Sequence, residues 1–420
     1  MAPRVSDIWT VFAIIGAIVV LFMWDRIPVI AVCIGAALAM WATGILTINQ
    51  ALSGFGDPAV VFIASLFVVS AGLEVSGVTA WAGQLLIKQA GASRTRLIVL
   101  MMGFVSVLCA LISLNGAVAA LLRVVIVMAI WLGRSPSQLL MPLVFGADAG
   151  SKLMLTGSPV NVLVVEAAHD TGARGFSYFE FALIGIPLLL GCIAIVVLLG
   201  EKLLPHRTSA TLPPDLVRRQ AVPMGPGAQI VLAALAIMVF LLATGLVPPV
   251  VAGLISAGII LISGVLTVDG VCRAINWTTV ILVGALTPLS IAMQQTGAAA
   301  LMAEKLVGAV GESGPYALLA GLFVFSAIMG QVISNTATSL IVIPIAVVAA
   351  QQMGVSVQPV LMCVGIACAG AFLTPVATPT NLMVMEPGAY KFGDYWKLGL
   401  PMMIWFFLMA VFLVPLIWPF

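Results

Sequence analysis

Charged residues are scarce in this chain. Asp, Glu, Lys and Arg make up 8% of its 420 residues, whereas hydrophobic residues make up 62%. A soluble globular domain carries about a quarter charged residues. Apolar runs recur along the whole length, and a run of about 20 residues spans a ~30 Å hydrocarbon core as a helix. The composition therefore predicts a multi-pass protein of a lipid bilayer. The net charge of +2 is too small to indicate a nucleic-acid partner.

Residues for metal binding and enzymatic chemistry are also few. The chain has two histidines and six cysteines, and no Cys-x-x-Cys pair occurs. This argues against a metal cluster and a disulfide framework, and the sequence indicates no cofactor. His169 and His206 fall in predicted loops, and neither Gly-x-Ser-x-Gly nor His-Glu-x-x-His occurs. An intramembrane enzyme would need such a set, so we do not expect an enzyme.

The apolar runs predict ten spanning helices and two interrupted segments. The spans are placed near 8–24, 28–46, 58–76, 137–168, 179–203, 227–246, 249–268, 277–295, 357–386 and 398–418. The apolar stretches 97–133 and 315–352 are each interrupted near the middle by a polar cluster, SLNG and SNTAT. Such interruptions predict re-entrant hairpins, because irregular backbone at membrane depth is tolerated only where it lines a cavity or is buried in protein.

The positions of Lys and Arg predict the orientation. If the N-terminus is outside the cell membrane, Arg4, Arg174 and Lys305 lie outside. Twelve basic residues then lie in cytoplasmic loops: Arg26, Lys88, Arg94, Arg96, Arg134, Lys202, Arg207, Arg218, Arg219, Arg273, Lys391 and Lys397. This positive-inside asymmetry places both termini outside.

The two halves of the chain match at a constant offset of 220 residues. Gly77 corresponds to Gly297, Asn115 to Asn335, Pro159 to Pro379, and Asn161 to Asn381. The polar stretch 205–226 separates residues 1–204 from residues 227–420. We therefore predict an all-α membrane protein of two inverted repeats, each with five spanning helices and one re-entrant hairpin. Each repeat contains a broken helix, at 137–168 and at 357–386.

The breaks themselves predict a binding site. Pro159 and Pro379 fall inside spanning segments, where proline removes a hydrogen-bond donor and clashes with the preceding turn. Freed N–H groups at a helix N-terminus favour an anion, whereas freed carbonyls favour a cation. Broken helices at a repeat interface are typical of secondary transporters, so the pattern predicts one site for an anion together with a cation.

At these residues the chain resembles the divalent anion/sodium symporters, the sodium-coupled sulfate and dicarboxylate carriers. The resemblance rests on the paired tips, the paired Pro-Asn breaks and the string FLTPVATPTNLMVMEPGAYKFGDYWKLGLP. That string is especially similar to the bacterial permease branch, and the short central loop predicts that regulatory domains are lacking there. The resemblance implies transport of a small anion (sulfate or a di- or tricarboxylate), Na⁺ as the coupling ion, alternating access and a homodimer.

The resemblance also implies roles for individual residues. A sodium site would be formed by Ser334, Asn335, Ala377 and Thr378, with Asn115 and Gly157 as the matching positions in the first repeat. The anion would contact Asn335, Thr336 and Thr380 on one side, and Asn115, Gly116 and Ser158 on the other.

The first repeat departs from this pattern. Its tip reads Leu114-Asn115-Gly116, which predicts the loss of the Ser and Thr hydroxyls of the second tip. It also carries three residues with ionisable side chains in apolar segments, Arg123, Asp148 and Lys152, where the second repeat has Ile343, Cys368 and Phe372. We expect Arg123 and Asp148 to meet at similar depth, and Lys152 to lie 15 residues into its helix on the same face as Asp148.

A charge at that depth costs at least ~2.5–3.5 kcal/mol on insertion scales, so it requires a partner or a function. One hypothesis is that Lys152 or Arg123 replaces a bound sodium with a tethered positive charge. The alternative is a structural Arg–Asp–Lys cluster that fixes the hairpin to the helix. A sodium-independent anion exchanger, a channel and a non-transporting sensor also remain open.

The tethered-charge hypothesis makes a measurable prediction. The triple variant Lys152→Thr, Leu114→Ser, Gly116→Thr removes the charge and restores both hydroxyls. It is expected to raise the Hill coefficient for sodium in a transport assay, because a second cation can then bind. An unchanged coefficient would contradict the hypothesis.

Overall fold

The computed structural model describes residues 5–24, 26–79, 81, 93–131, 133–207, 225, 227–310 and 314–420. Within these ranges every regular element is helical, and no strand is found. Most of the linker 205–226, and with it Arg218 and Arg219, lies outside the described residues, as does Lys88. The prediction of an all-α membrane protein is confirmed.

Nine helices form the first half. Their bounds are α1 Val5–Trp24, α2 Val29–Ala42, α3 Ile48–Leu52, α4 Pro58–Val75, α5 Arg94–Leu111, α6 Leu114–Trp131, α7 Leu140–Gly150, α8 Pro159–Asp170 and α9 Ala182–Leu203. Helix α4 begins with Pro58 after the side chain of Asp57, which accepts from Ala59 N at 2.8 Å. This is the favoured start of a helix, since proline lacks the N–H that would be unpaired there.

Eleven helices form the second half. Their bounds are α10 Ala228–Thr244, α11 Pro249–Ile262, α12 Val268–Ala274, α13 Trp277–Thr296, α14 Ala298–Val310, α15 Gly314–Gly330, α16 Asn335–Gln352, α17 Val357–Ala369, α18 Pro379–Met385, α19 Tyr395–Leu408 and α20 Val414–Ile417, with a π-turn at Met409–Leu413.

The predicted spans correspond to helices, but several of these are short. Seven helices of the described residues are long and apolar enough to cross a membrane, or eight if a bent pair is counted as one span. Helices α2 and α11 have 14 residues each, which is ~21 Å at ~1.5 Å per residue. The predicted spans 28–46 and 249–268 are therefore too long, because glycines with positive φ, Gly44 and Gly264 (both 74°), end each helix early.

The contacts between the halves are exchanged symmetrically. Helix α2 of the first half packs against α13 of the second, and α11 of the second half packs against α4 of the first. The bounds of α2 and α11 also differ by 220 residues at both ends. This is the arrangement expected of two related units around a pseudo-two-fold axis. The opposite orientation of the two halves in the bilayer stays a prediction.

A polar cluster joins the end of the first half to the second. Arg207 donates from Nη1 to Asp394 Oδ2 at 2.6 Å and to the Ala389 carbonyl at 2.9 Å. The Tyr390 hydroxyl donates to the Ser137 carbonyl at 2.5 Å and accepts from Met141 N at 2.9 Å. Residues far apart in the chain are thus fixed at the start of α7.

Helix α7 is held tightly against α5 by small residues. Ser106 of α5 donates from Oγ to the Gly146 carbonyl at 2.7 Å, across the interface. A Cβ on Gly150 would lie 2.3 Å from Ser106 Cα, so the two backbones touch there. Close approach through small residues is how helices pack within membranes. It places the end of α7 beside the first hairpin.

We expect Gly150→Ala to lower the thermal stability of the purified protein in detergent. The methyl group would overlap the Ser106 backbone, and overpacking of this kind costs roughly 1–3 kcal/mol. Gly103→Ala on α5 is the matched control, because nothing lies within 4 Å of its added Cβ. Equal melting temperatures for the two variants would contradict the close approach.

Candidate functional site

The first break, residues 151–158, separates α7 from α8. Its carbonyls are not left bare, because Asn161 Nδ2 donates to Ser151 O at 2.7 Å and to Met154 O at 2.9 Å. Asn161 is itself completely buried. The sequence predicted a break at Gly157-Ser158-Pro159; the structure shows that it starts earlier and that Asn161 fastens it.

The second break, residues 370–378, separates α17 from α18 in the same way. Asn381 Nδ2 donates to Ala371 O at 2.8 Å and to Thr374 O at 3.0 Å. Both acceptors lie 220 residues after those of Asn161. The two asparagines were predicted only as markers of the repeat and neighbours of the breaks, and their role as backbone donors was missed.

Each hairpin tip contacts the break of its own half. In the first half, the Thr156 hydroxyl donates to the Ala110 carbonyl at 2.6 Å, just before the first tip, residues 112–116. In the second half, Gln331 lies at the second tip, residues 331–336. Gln331 Nε2 donates to Gly370 O at 2.8 Å, its Oε1 accepts from Leu373 N at 2.9 Å, and its carbonyl accepts from the Thr374 hydroxyl at 3.0 Å.

Sequence reasoning did not single out Gln331. Its counterpart in the first half is Leu111, so the repeat comparison gave no signal for it. An amide side chain at the end of an apolar helix could have been noticed, because buried amides are normally hydrogen-bonded.

The tips also meet the opposite half. Helix α6, which follows the first tip, packs against α18, and helix α16, which follows the second tip, packs against α8. The N-termini of α6, α8 and α16 therefore gather around the two breaks, with the short α18 beside them. A helix N-terminus carries unpaired N–H groups and a partial positive charge.

Each of these four helices begins at a hydroxyl side chain. Ser158 accepts from Val160 N, Ser334 from Ala337 N and Thr378 from Asn381 N, each at 3.3 Å. In the first tip, Ser113 Oγ accepts from Gly116 N at 3.2 Å. The predicted loss of a serine at the first tip is therefore wrong, since Ser113 does for α6, one position earlier, what Ser334 does for α16.

The predicted site residues lie around these ends at different depths. Asn115, Gly116, Ser158, Asn335 and Thr336 are half-buried and Ser334 is exposed. Gly157, Ala377, Thr378 and Thr380 are buried. The Thr380 hydroxyl pairs with that of Thr378 at 2.9 Å, so in this conformation it faces the break. Asn335 Oδ1 is buried and lacks a hydrogen-bond partner among the described residues, which leaves it available to a ligand.

The three ionisable side chains of the first half do not form the predicted cluster. Arg123 is exposed, because Leu121 and Val125 occupy the buried face of α6. Asp148 is only 1% exposed, and neither carboxylate oxygen has a hydrogen-bond partner among the described residues. The expected contact between Arg123 and Asp148 is therefore wrong.

Lys152 is also placed differently from the prediction. Helix α7 begins at Leu140 and ends at Gly150, so Lys152 lies past its end, in the first break, rather than deep inside a helix. Its side chain is 1% exposed, and Nζ donates to Asn161 Oδ1 at 2.6 Å. The ammonium thus binds the amide that fastens the break.

The second half lacks this donor. Phe372 replaces Lys152, and Asn381 Oδ1 is buried without a hydrogen-bond partner in the described part of the chain. Two carbonyl acceptors fix the amide nitrogen of Asn381, so its oxygen must face the other way. An unpaired buried carbonyl is costly, which marks this oxygen as a place for a cation or a donor.

A family model described as "Citrate transporter" matches residues 19–367 and 313–420 of the chain. The uncharacterized transporter YfbS of Escherichia coli (strain K12) is 25% identical over 606 aligned positions, covering 98% of this chain and 99% of that protein. Sodium/sulfate cotransporter 1 of Chlamydomonas reinhardtii is 26% identical over 161 residues, which are 38% of this chain and 18% of the relative.

A solved structure shares the fold. The crystal structure of the Alcanivorax borkumensis YdaH transporter, reported to have an unusual topology, superposes with a TM-score of 0.66 at 16% sequence identity. The match covers 95% of this chain and 98% of that one. These relatives are named as transporters, in agreement with the expectation that the chain is not an enzyme.

Gln331 gives a test of the second tip. We expect Gln331→Leu, which introduces the residue of the first half, to lower thermal stability by about 1–3 kcal/mol, because Gly370 O and Leu373 N lose their partners. Gln351→Leu, on an exposed position at the far end of the same hairpin, is the control. Unchanged melting of Gln331→Leu would show that the tip does not depend on these bonds.

Proposed function

Because the chain belongs to the citrate transporter family, we propose that it is a secondary active transporter of a small anion, coupled to a cation and working by alternating access. The substrate class is sulfate or a di- or tricarboxylate. The observation that carries the proposal is the meeting of both hairpin tips with both helix breaks, across the two halves.

The anion is proposed to bind between the tips. Helices α6, α8 and α16 direct their N-termini to this region, and an anion is favoured by the N–H groups and partial charge of such ends. Ser158 and Thr336 add hydroxyl donors, and Asn115 and Asn335 add amide donors. These side chains are half-buried, as a site that alternately opens requires.

Sodium is proposed to bind at the second tip and second break. Asn335 Oδ1 is an unpaired buried oxygen there, and Ser334, Thr378 and the carbonyl of Ala377 supply others. Oxygen atoms of hydroxyls, amides and broken-helix carbonyls are what sodium sites in transporters use. The names of the Chlamydomonas relatives support sodium as the coupling ion.

In the first half, Lys152 is proposed to serve as a fixed positive charge. Its ammonium occupies the Asn161 oxygen whose counterpart, on Asn381, is unpaired. A fixed charge in one half would leave Asn115 and Gly157 without a sodium to bind. Arg123 takes no part, because it is exposed.

Sulfate is the smaller of the proposed substrates, and it suits a site whose first tip lacks the second tip's threonine. Gly116 stands where the second tip has Thr336, so one hydroxyl of a symmetrical clamp is missing. The family description points instead to citrate. A sodium-independent exchanger and a non-transporting sensor are the competing functions. We place the protein in the cell membrane with both termini outside, as a homodimer.

Uptake of labelled sulfate, citrate and succinate into proteoliposomes tests the proposal. We expect saturable, concentrative uptake of one anion, stimulated by an inward sodium gradient. Uptake that requires an internal anion, and not sodium, would indicate an exchanger. Ligand-dependent thermal stabilisation without uptake would indicate a sensor.

Asn335→Ala and Thr336→Ala should each reduce uptake at least about tenfold, since a hydrogen bond to a charged group contributes roughly 1.5–3 kcal/mol. Thr244→Ala, at the exposed end of α10, is the control and should transport normally. Normal uptake by both tip variants would place the anion elsewhere.

A further inference from the structure

Asp148 is a buried acid that the proposed site does not use. It lies on α7, two residues before the helix ends, and both its carboxylate oxygens are unpaired among the described residues. Lys152, the nearest basic residue along the chain, gives its hydrogen bond to Asn161 instead. The two side chains form neither an ion pair nor a hydrogen bond.

The surroundings of Asp148 supply no cation other than Lys152. Cys109 of α5 and Cys192 of α9 are the ionisable groups that interact with it from the helices packed on α7. Arg123 of α6 is exposed, and α18 has no charged residue. Cys368 of α17 interacts with Lys152. The only strong partner within reach is thus held on another acceptor.

The shared architecture does not require an acid at this position. The second half builds the equivalent helix, α17, with Cys368 in place of Asp148. An ionised carboxylate in this environment, without a hydrogen bond, would cost several kcal/mol. Intramembrane acids that carry this cost commonly belong to proton relays.

We propose that Asp148 is a proton-binding site, so that a proton crosses the membrane with each anion. This inference rests on the proposed function and adds a second coupling ion to it. Water on the side from which the anion enters gives a proton to a carboxylate oxygen of Asp148. After the protein opens to the other side, the same O–H bond breaks and the proton returns to water there.

Lys152 links the proton to the anion. When Asp148 is neutral, the positive charge of Lys152 in the first break is not compensated, and it attracts an anion bound beside Gly157 and Ser158. When Asp148 is ionised, its negative charge offsets that of Lys152 and repels the anion. Charges in a weakly polar interior interact over such distances. Protonation therefore strengthens anion binding, and by linkage anion binding favours proton uptake.

The dependence of anion affinity on pH tests the inference. For the wild-type protein, we expect the dissociation constant of sulfate, which has no titration near neutral pH, to rise by up to about tenfold per pH unit as one proton is lost. If another anion is transported, the same measurement uses that anion above its highest pKa. Entrapped pyranine should record acidification of the proteoliposome lumen during uptake.

Asp148→Asn should abolish both the pH dependence and the acidification. Asp148→Cys introduces the residue of the second half and serves as a second variant if the first does not fold. Glu304→Gln, which changes an exposed acid of α14, should keep the wild-type slope.

The failures of the two proposals can be told apart. Sodium-driven uptake with a pH-independent affinity would overturn the role of Asp148 and leave the proposed function intact. A pH dependence that persists in the folded Asp148 variants would also overturn it. Absence of any uptake or binding by the wild-type protein would instead contradict the transport function.

Discussion

Unpaired backbone groups are the constraint on which the rest of this structure depends. Within hydrocarbon, a broken helix exposes carbonyls and N–H groups that each cost several kcal/mol unless they are satisfied. The protein solves this twice with one device: Asn161 and Asn381 each donate two hydrogen bonds to carbonyls of the neighbouring break. Because the side-chain nitrogen satisfies those carbonyls, the remaining polar groups of the break can be used for ligands.

The same device makes the two halves comparable, atom by atom. Each fastening asparagine has one amide oxygen left over, and the chain treats the two oxygens differently. One receives the ammonium of Lys152, and the other faces a place where Phe372 provides no donor. A near-symmetrical scaffold thus acquires a charged half and a neutral half through few substitutions. That difference, rather than the scaffold, sets which ions accompany the anion.

Much of the fold could be predicted from the sequence, because apolar runs and prolines have local consequences. The constant offset located both breaks, and the tips at SLNG and SNTAT lie where the hairpins turn. The side-chain partners could not be predicted in this way. Lys152 appeared to be deep in a helix because the early end of α7 at Gly150 has no proline to mark it. Ser113 was missed because the capping residue shifted by one position between the halves, and Gln331 because its counterpart is apolar.

The exchanged packing of α2 on α13 and of α11 on α4 has a consequence for biogenesis. Buried residues of α2 and α4, such as Met40 and Phe62, cover one another only when the second half is present. During synthesis the first half enters the bilayer alone, and its small, polar-tipped hairpin faces lipid until the second half follows. Assembly is therefore completed late, and a chain truncated after α9 would reach the membrane without the surfaces that quality-control proteases recognise as finished.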